Sequence, residues 1–195
     1  NIQLSENIII VDADYIDHVA FQLSVQFERI IGRKIPPADF SQWVVNIALD
    51  GGLRANGQSH ETQVVLVHDA THTRLDNFRP AVYNTELNAQ AFKEGKLGEF
   101  LVNAYATETP ADKDTYLLEL LKTVCNHSEV KRVMVIPNAE EGTIYDELRD
   151  HLHRVDNDQR ITLFAMQPMP GGNFRQEILG YSLMNALGIR ADEIK

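Results

Sequence analysis

A three-layer α/β sandwich, with helices on both faces of a mostly parallel five-stranded sheet, is the fold this sequence predicts. Three observations carry that expectation. Ile8-Ile9-Ile10-Val11 is an unbroken β-branched run that ends in Asp12, the pattern of a strand buried on both faces. Four more short apolar runs follow, interleaved with segments of helical periodicity, as right-handed crossovers between parallel strands require. The chain has 195 residues, 44% of them hydrophobic, and no low-complexity tract or internal repeat, enough for one domain with a sizeable core.

Taken in order, the first strand leads directly into a helix. Ile16, Val19, Ala20, Leu23, Phe27, Ile30 and Ile31 share one stripe, Asp14 with Asp17 reads as the cap, and Gly32 as the end. Pro36-Pro37 imposes an extended turn. Asp39 caps a second helix with Phe40, Trp43, Val44, Ile47 and Ala48 inside, stopped by Gly51-Gly52. Residues 53–61 read as a loop. Strand two is Gln63 to Val67, ending at His68-Asp69, and 70–83 is irregular around Pro80.

A helix is expected from about Thr85 to Glu94, closed by Gly95 and Gly98. Phe100 to Tyr105 alternates and reads as a third strand nearer a sheet edge, ended by Pro110. Asp114 opens a helix with Leu117, Leu118, Leu120, Leu121 and Val124 inside. Strand four is Val133 to Ile136, stopped by Pro137, with the loop Asn138–Gly142 at its carboxyl end. Thr143 and Asp146 resemble a capping box for a helix holding Ile144, Leu148 and Leu152. Strand five is Ile161 to Ala165. Pro168 to Gly172 then link to an appended last helix over about 173–188, opened by Asn173 and Gln176 and carrying Phe174, Ile178, Tyr181 and Leu187. The tail Ile189–Lys195 is expected to fray.

Composition narrows the function. Net charge is −10, and segment 108–158 alone holds 12 acids against 6 bases. Such a surface repels nucleic acid unless basic residues cluster or a metal bridges the charges. The single cysteine, Cys125, excludes an internal disulfide and fits core packing. No apolar run approaches the roughly 20 residues of a membrane span, so a soluble, cytoplasmic protein without membrane contact is expected. The turn after strand one, Asp12-Ala13-Asp14-Tyr15, has no glycine, which sets aside dinucleotide and P-loop sites. A Ser nucleophile elbow is also missing.

The strand ends carry oxygen ligands instead. Asp12 and Asp14 follow strand one, Asp69 follows strand two, and Asn138, Glu140 and Glu141 follow strand four; Asp114 begins the helix leading into strand four. In open α/β sheets the ligand crevice lies at the carboxyl ends of the strands. Clustered carboxylates repel unless a cation or protons neutralise them, and Mg²⁺ and Mn²⁺ prefer such donors. Against this stands a plainer reading, in which Asp14 and Asp114 cap helices and Glu140 and Glu141 favour a helix N-terminus. His68 and His72 have the i, i+4 spacing of a zinc pair, without an evident third ligand. His151 and His153 read as solvated surface.

The order of these motifs resembles the PIN-like superfamily, specifically its NYN branch of metal-dependent ribonucleases, over roughly residues 7–167. Asp12 within Val11-Asp12-Ala13-Asp14 matches the strand-one aspartate. His68-Asp69-Ala70 stands where strand two ends, and Lys113-Asp114 with Leu117-Leu118 matches the later helix. Ile136-Pro137-Asn138-Ala139-Glu140, followed by Leu148-Arg149, takes the place of a Ser-Gly-Asp-x-Asp strand end, with Asn and Glu in place of the two aspartates. The resemblance implies a Rossmann-like sheet of order 3-2-1-4-5 with an altered acidic pocket. It implies that Asp12, Asp114, Asn138 and Glu140 serve catalysis of RNA phosphodiester hydrolysis. Asp12, Asp14, Asp114 and Glu140 would surround Mg²⁺ or Mn²⁺, and Asn138 would orient water or substrate. RNA would then need a basic path, for which Arg29, Arg33-Lys34, Arg54 and Arg74 are the candidates. The competing expectation is a scaffold without catalysis, using its last helix for a homodimer or a protein partner. Asp12-Ala13-Asp14 also resembles the opening of haloacid-dehalogenase phosphatases, but no Thr or Ser ends strand two and no Asp pair follows strand four.

Overall fold

Ile8, Ile9, Ile10 and Val11 are each at most 1% exposed, and their β-branched side chains suit a pleated, packed backbone. They form the middle of the central strand. The computed structural model describes residues 3–155 and 160–194. Its elements in chain order are β1 (Asn7–Asp12), α1 (Ala13–Ile31), β2 (Ala38–Asp39), α2 (Phe40–Asp50), β3 (Glu61–Asp69), β4 (Phe78–Arg79), a π-helical turn (Tyr83–Leu87), β5 (Gln90–Glu94), β6 (Gly98–Thr107), α3 (Pro110–Cys125), β7 (Arg132–Ile136), α4 (Ile144–Leu152), β8 (Ile161–Ala165), β9 (Arg175–Ile178), α5 (Leu179–Ala186) and a 3-10 turn (Ala191–Glu193).

The sheet runs β5-β6-β3-β1-β7-β8-β9. It is parallel apart from β5, which pairs antiparallel with β6. β2 and β4 make a separate two-stranded pair. Side-chain alternation along β1 divides the interior into two cores. Ile9 and Val11 face the side covered by α1, α2 and α5, with Phe27, Trp43 and Leu183. Ile8 and Ile10 face α3 and α4, with Leu117, Leu121, Leu148 and Leu152. Helices therefore cover both faces, the three-layer α/β arrangement. Among the described residues no helix is long and apolar enough to cross a membrane.

The sheet has seven strands rather than five. The five expected segments are β1, β3, β6, β7 and β8; the two unforeseen strands, β5 and β9, lie at the edges. The helix expected from Thr85 to Glu94 is a π-helical turn followed by β5. Long-range pairing overrides local pattern here: Gln90–Glu94 registers against Val102–Gly98, and Phe92 stacks on Phe100 with ring centres 4.9 Å apart. This also places β6 one strand inside the edge. The expected helix at 173–188 is likewise a strand and then a helix, because Arg175–Ile178 pairs with β8. α5 is not appended: Leu179, Leu183 and Ala186 are buried in the core with α1 and α2. The tail is held by Ile189, 7% exposed, and by Arg33 pairing with Glu193 at 2.9 Å; Lys195 lies outside the described residues.

Helix starts also differ from expectation. α1 is capped by Asp12, whose side chain accepts the Tyr15 N–H, and Asp14 lies in its first turn. α3 begins at Pro110 rather than Asp114, with Thr109 accepting the Asp112 N–H. Proline is favoured at a first helical position because the N–H it lacks would be unpaired there anyway. Thr143 makes no side-chain cap on α4. Ile30 is 49% exposed rather than inside.

One glycine is demanded by the register of β3 and β6. Gly98 has φ +97°, and a Cβ there would collide with the backbone of His60, whose carbonyl accepts the Glu99 N–H. Gly98→Ala is expected to destabilise the fold by more than about 1 kcal/mol, read as a lower urea midpoint. Gly95→Ala, which meets open space, should leave the midpoint unchanged.

Candidate functional site

The alternation that sends Ile8 and Ile10 toward α3 sends Asp12 the same way at the end of β1. Its carboxylate is buried, 1% exposed. It accepts the Tyr15 N–H at 3.1 Å, and Lys113 Nζ from α3 lies 3.1 Å from Oδ1. The same ammonium donates to Asp14 Oδ2 at 2.9 Å. Asp14 Oδ2 also accepts the Asp69 N–H at 2.8 Å, and Asp14 Oδ1 lies 2.8 Å from His72 Nδ1. Lys113 thus bridges Asp12 at the end of β1 and Asp14 in the first turn of α1.

Protonation follows from burial and partners. Burial pushes the Asp12 carboxyl up to about 6, against the Lys113 charge and the Tyr15 and Lys113 hydrogen bonds. Asp14 is partly buried too, but hydrogen bonds from Lys113 and His72, with the Lys113 charge, hold it below the usual carboxylate range. Burial opposes the Lys113 charge, yet Asp12 and Asp14 raise its pKa. His72 is raised by its hydrogen bond to Asp14.

The remaining expected residues divide. Tyr15 donates its hydroxyl to Glu140, which ties that acid to the rim of the pair. Asn138 Oδ1 accepts the Glu140 N–H at 3.1 Å, closing its own loop. Asp69 accepts from the Thr71 N–H and hydroxyl, both at 2.8 Å. Asp114 points elsewhere: burial raises its pKa, and its charged neighbours are Lys113 and Glu147 of α4. The sequence held the signal for this. Lys113, Leu117 and Leu121 lie at i, i+4, i+8 on the inward stripe of α3, whereas Asp114 shares its stripe with the flanking Leu118.

A cleft of about 620 Å³ opens beside Asp14, lined also by Asp17, His18, Phe21, His72, Arg74 and Asp76. Asp17 holds its far wall by accepting the Asp76 and Asn77 N–H groups. His68 is not paired with His72; it is buried and stacked on Tyr83 with ring centres 3.7 Å apart. His151 is partly buried and its Nε2 is without a partner among the described residues. Of the candidate basic residues, Arg74 lines the cleft and pairs with Asp76 at 3.5 Å. Arg33 pairs with Glu193, and Arg54 donates to the Leu49 and Leu53 carbonyls.

These donors, as arranged, do not fit Mg²⁺ or Mn²⁺. Asp12 and Asp14 both bind the Lys113 ammonium, which supplies the positive charge a cation would bring. Among the described residues no group of three or more His, Cys, Asp or Glu side chains is placed to hold a metal ion.

Fold and site together define a three-layer α/β domain with a lysine-bridged aspartate pair at the carboxyl edge of its central strand. The chain belongs to a family of unknown function, DUF6621, whose profile matches residues 1–194. No curated protein and no solved structure matches it.

Removing the Lys113 charge strands two carboxylates. Lys113→Met is expected to cost about 3–5 kcal/mol at pH 7, the scale for breaking a buried pair from one side, and less at pH 5, where Asp12 is protonated. Urea unfolding at the two pH values checks this. Asp12 also sets a pH slope. Its native pKa of about 6 lies above the ordinary 3.8, so its contribution to stability is full below 3.8 and is lost as pH rises through 6. Asp12→Asn keeps the cap acceptor and should flatten the stability profile between pH 4 and 6.

Proposed function

We propose that this chain is a divergent PIN/NYN-like domain that serves as a non-catalytic scaffold rather than cleaving RNA. The resemblance in fold is supported by the neighbour order β6-β3-β1-β7-β8 inside the sheet, which reads 3-2-1-4-5 when those strands are numbered along the chain. The same order puts Asp12 and Asp14 at the carboxyl end of the central strand, where ligands bind in open α/β sheets.

The observation that carries the absence of hydrolysis is Lys113, whose ammonium lies 3.1 Å from Asp12 and 2.9 Å from Asp14. A divalent ion would have to displace two charge-assisted hydrogen bonds and would then lack a third carboxylate. Arg33, Arg54 and Arg74 are engaged within the chain, which argues against a basic path for RNA. A phosphatase of the haloacid-dehalogenase kind needs an accessible nucleophile, and Asp12 is 1% exposed.

The test is calorimetric titration of Mn²⁺ into the wild-type protein and Asp12→Asn, with an RNA cleavage assay beside it. The expected outcome is no specific heat in either protein and intact RNA. Manganese-dependent cleavage by the wild type that Asp12→Asn abolishes would overturn the proposal and restore the metal-dependent ribonuclease.

A further inference from the structure

The outward face of α1 differs from the rest of this acidic chain. Phe21, Val25 and Ile30 are 53%, 36% and 49% exposed, three of the six exposed large hydrophobics among the described residues. With Gln22, Gln26 and Arg29 they line one shallow groove. Two rows at i, i+4 spacing build it, Phe21-Val25-Arg29 and Gln22-Gln26-Ile30.

The face carries no free carboxylate, and each acid of α1 has another task. Asp14 binds Lys113 and the Asp69 N–H. Asp17 accepts the Asp76 and Asn77 N–H groups. Glu28 accepts the Ile35 N–H. In a chain of net charge −10, two copies repel each other over most of their surfaces, and this strip is a place where they need not.

We propose that α1 is a homodimer interface in which two copies pair antiparallel about a two-fold axis at Val25. Val25 then meets its own copy, and Phe21 meets the partner's Arg29. A guanidinium over an aromatic face is attractive. Phe21 also lines the acidic cleft, so the partner's Arg29 reaches past the ring toward Asp17 and Asp76. The antiparallel arrangement also sets the two helix dipoles in opposition. The interface is isologous, as a closed dimer requires. It does not rest on the reading of the Lys113-bridged pair.

The experiment is sedimentation equilibrium of the whole chain across the micromolar range. The wild type is expected at twice the 22.1 kDa chain mass. Val25→Glu places two like charges on the axis and is expected to weaken the dimer by at least about tenfold, or 1.4 kcal/mol. Arg29→Glu is expected to weaken it, and an equimolar mixture of Arg29→Glu with Asp76→Arg to recover part of the loss. All three positions are exposed, and circular dichroism confirms that each variant is folded. A wild type that stays monomeric throughout the range overturns the proposal, and so does a dimer that Val25→Glu leaves intact. The readout is mass, so neither result bears on manganese binding or RNA cleavage.

Discussion

The constraint that the rest of this molecule answers to is a central strand buried on both faces that must end in an acid. Ile8 to Val11 have no solvated side, so β1 needs helices above and below and parallel neighbours left and right. Its alternation then aims Asp12 into the layer of α3 and α4, where an unpaired carboxylate is costly. Lys113 resolves that cost. It stands one helical turn before Leu117, so the packing that seats α3 on the sheet also delivers the ammonium to the strand end. Fold and charge pairing are one solution.

Several acids act here as backbone acceptors. Asp12 receives the Tyr15 N–H, Asp14 the Asp69 N–H, Asp17 those of Asp76 and Asn77, and Asp69 that of Thr71. The hydrogen bonds to Asp14 and Asp17 fasten the irregular segment after β3 onto the start of α1. Carboxylates committed in this way hold the rim of the cleft in shape. They are less available as metal ligands, because each would have to release a backbone N–H to coordinate a cation. The acidity of the chain overstates the number of carboxylates free to do chemistry.

The same commitments shape the outer surface. By turning Asp14, Asp17 and Glu28 inward or toward loops, α1 is left with a strip free of acids, whose one charge is Arg29. The pocket and the strip share Phe21, so a partner on α1 would also sit at the mouth of the cleft. A binding role for the domain and a sealed acid pair at its centre are therefore compatible in one architecture.

The sequence by itself determined the α/β class, the five inner strands, α1, α2 and α4 nearly to their ends, and the gathering of Asp12 and Asp14 at a strand end. Those features are written in short-range periodicity and β-branched runs, which the chain encodes locally. Only the tertiary structure decided the edge strands β5 and β9, whose residues 90–94 and 175–178 are polar enough to pass for helix or link until a neighbouring strand supplies hydrogen-bond partners. It also decided which member of Lys113-Asp114 faces the pocket. Adjacent helical residues point about 100° apart, so one had to turn away, and the burial of Leu117 and Leu121 selected the lysine. That choice sets an ammonium rather than a further carboxylate beside Asp12 and Asp14, and it is made by packing at a distance of a hundred residues from Asp12.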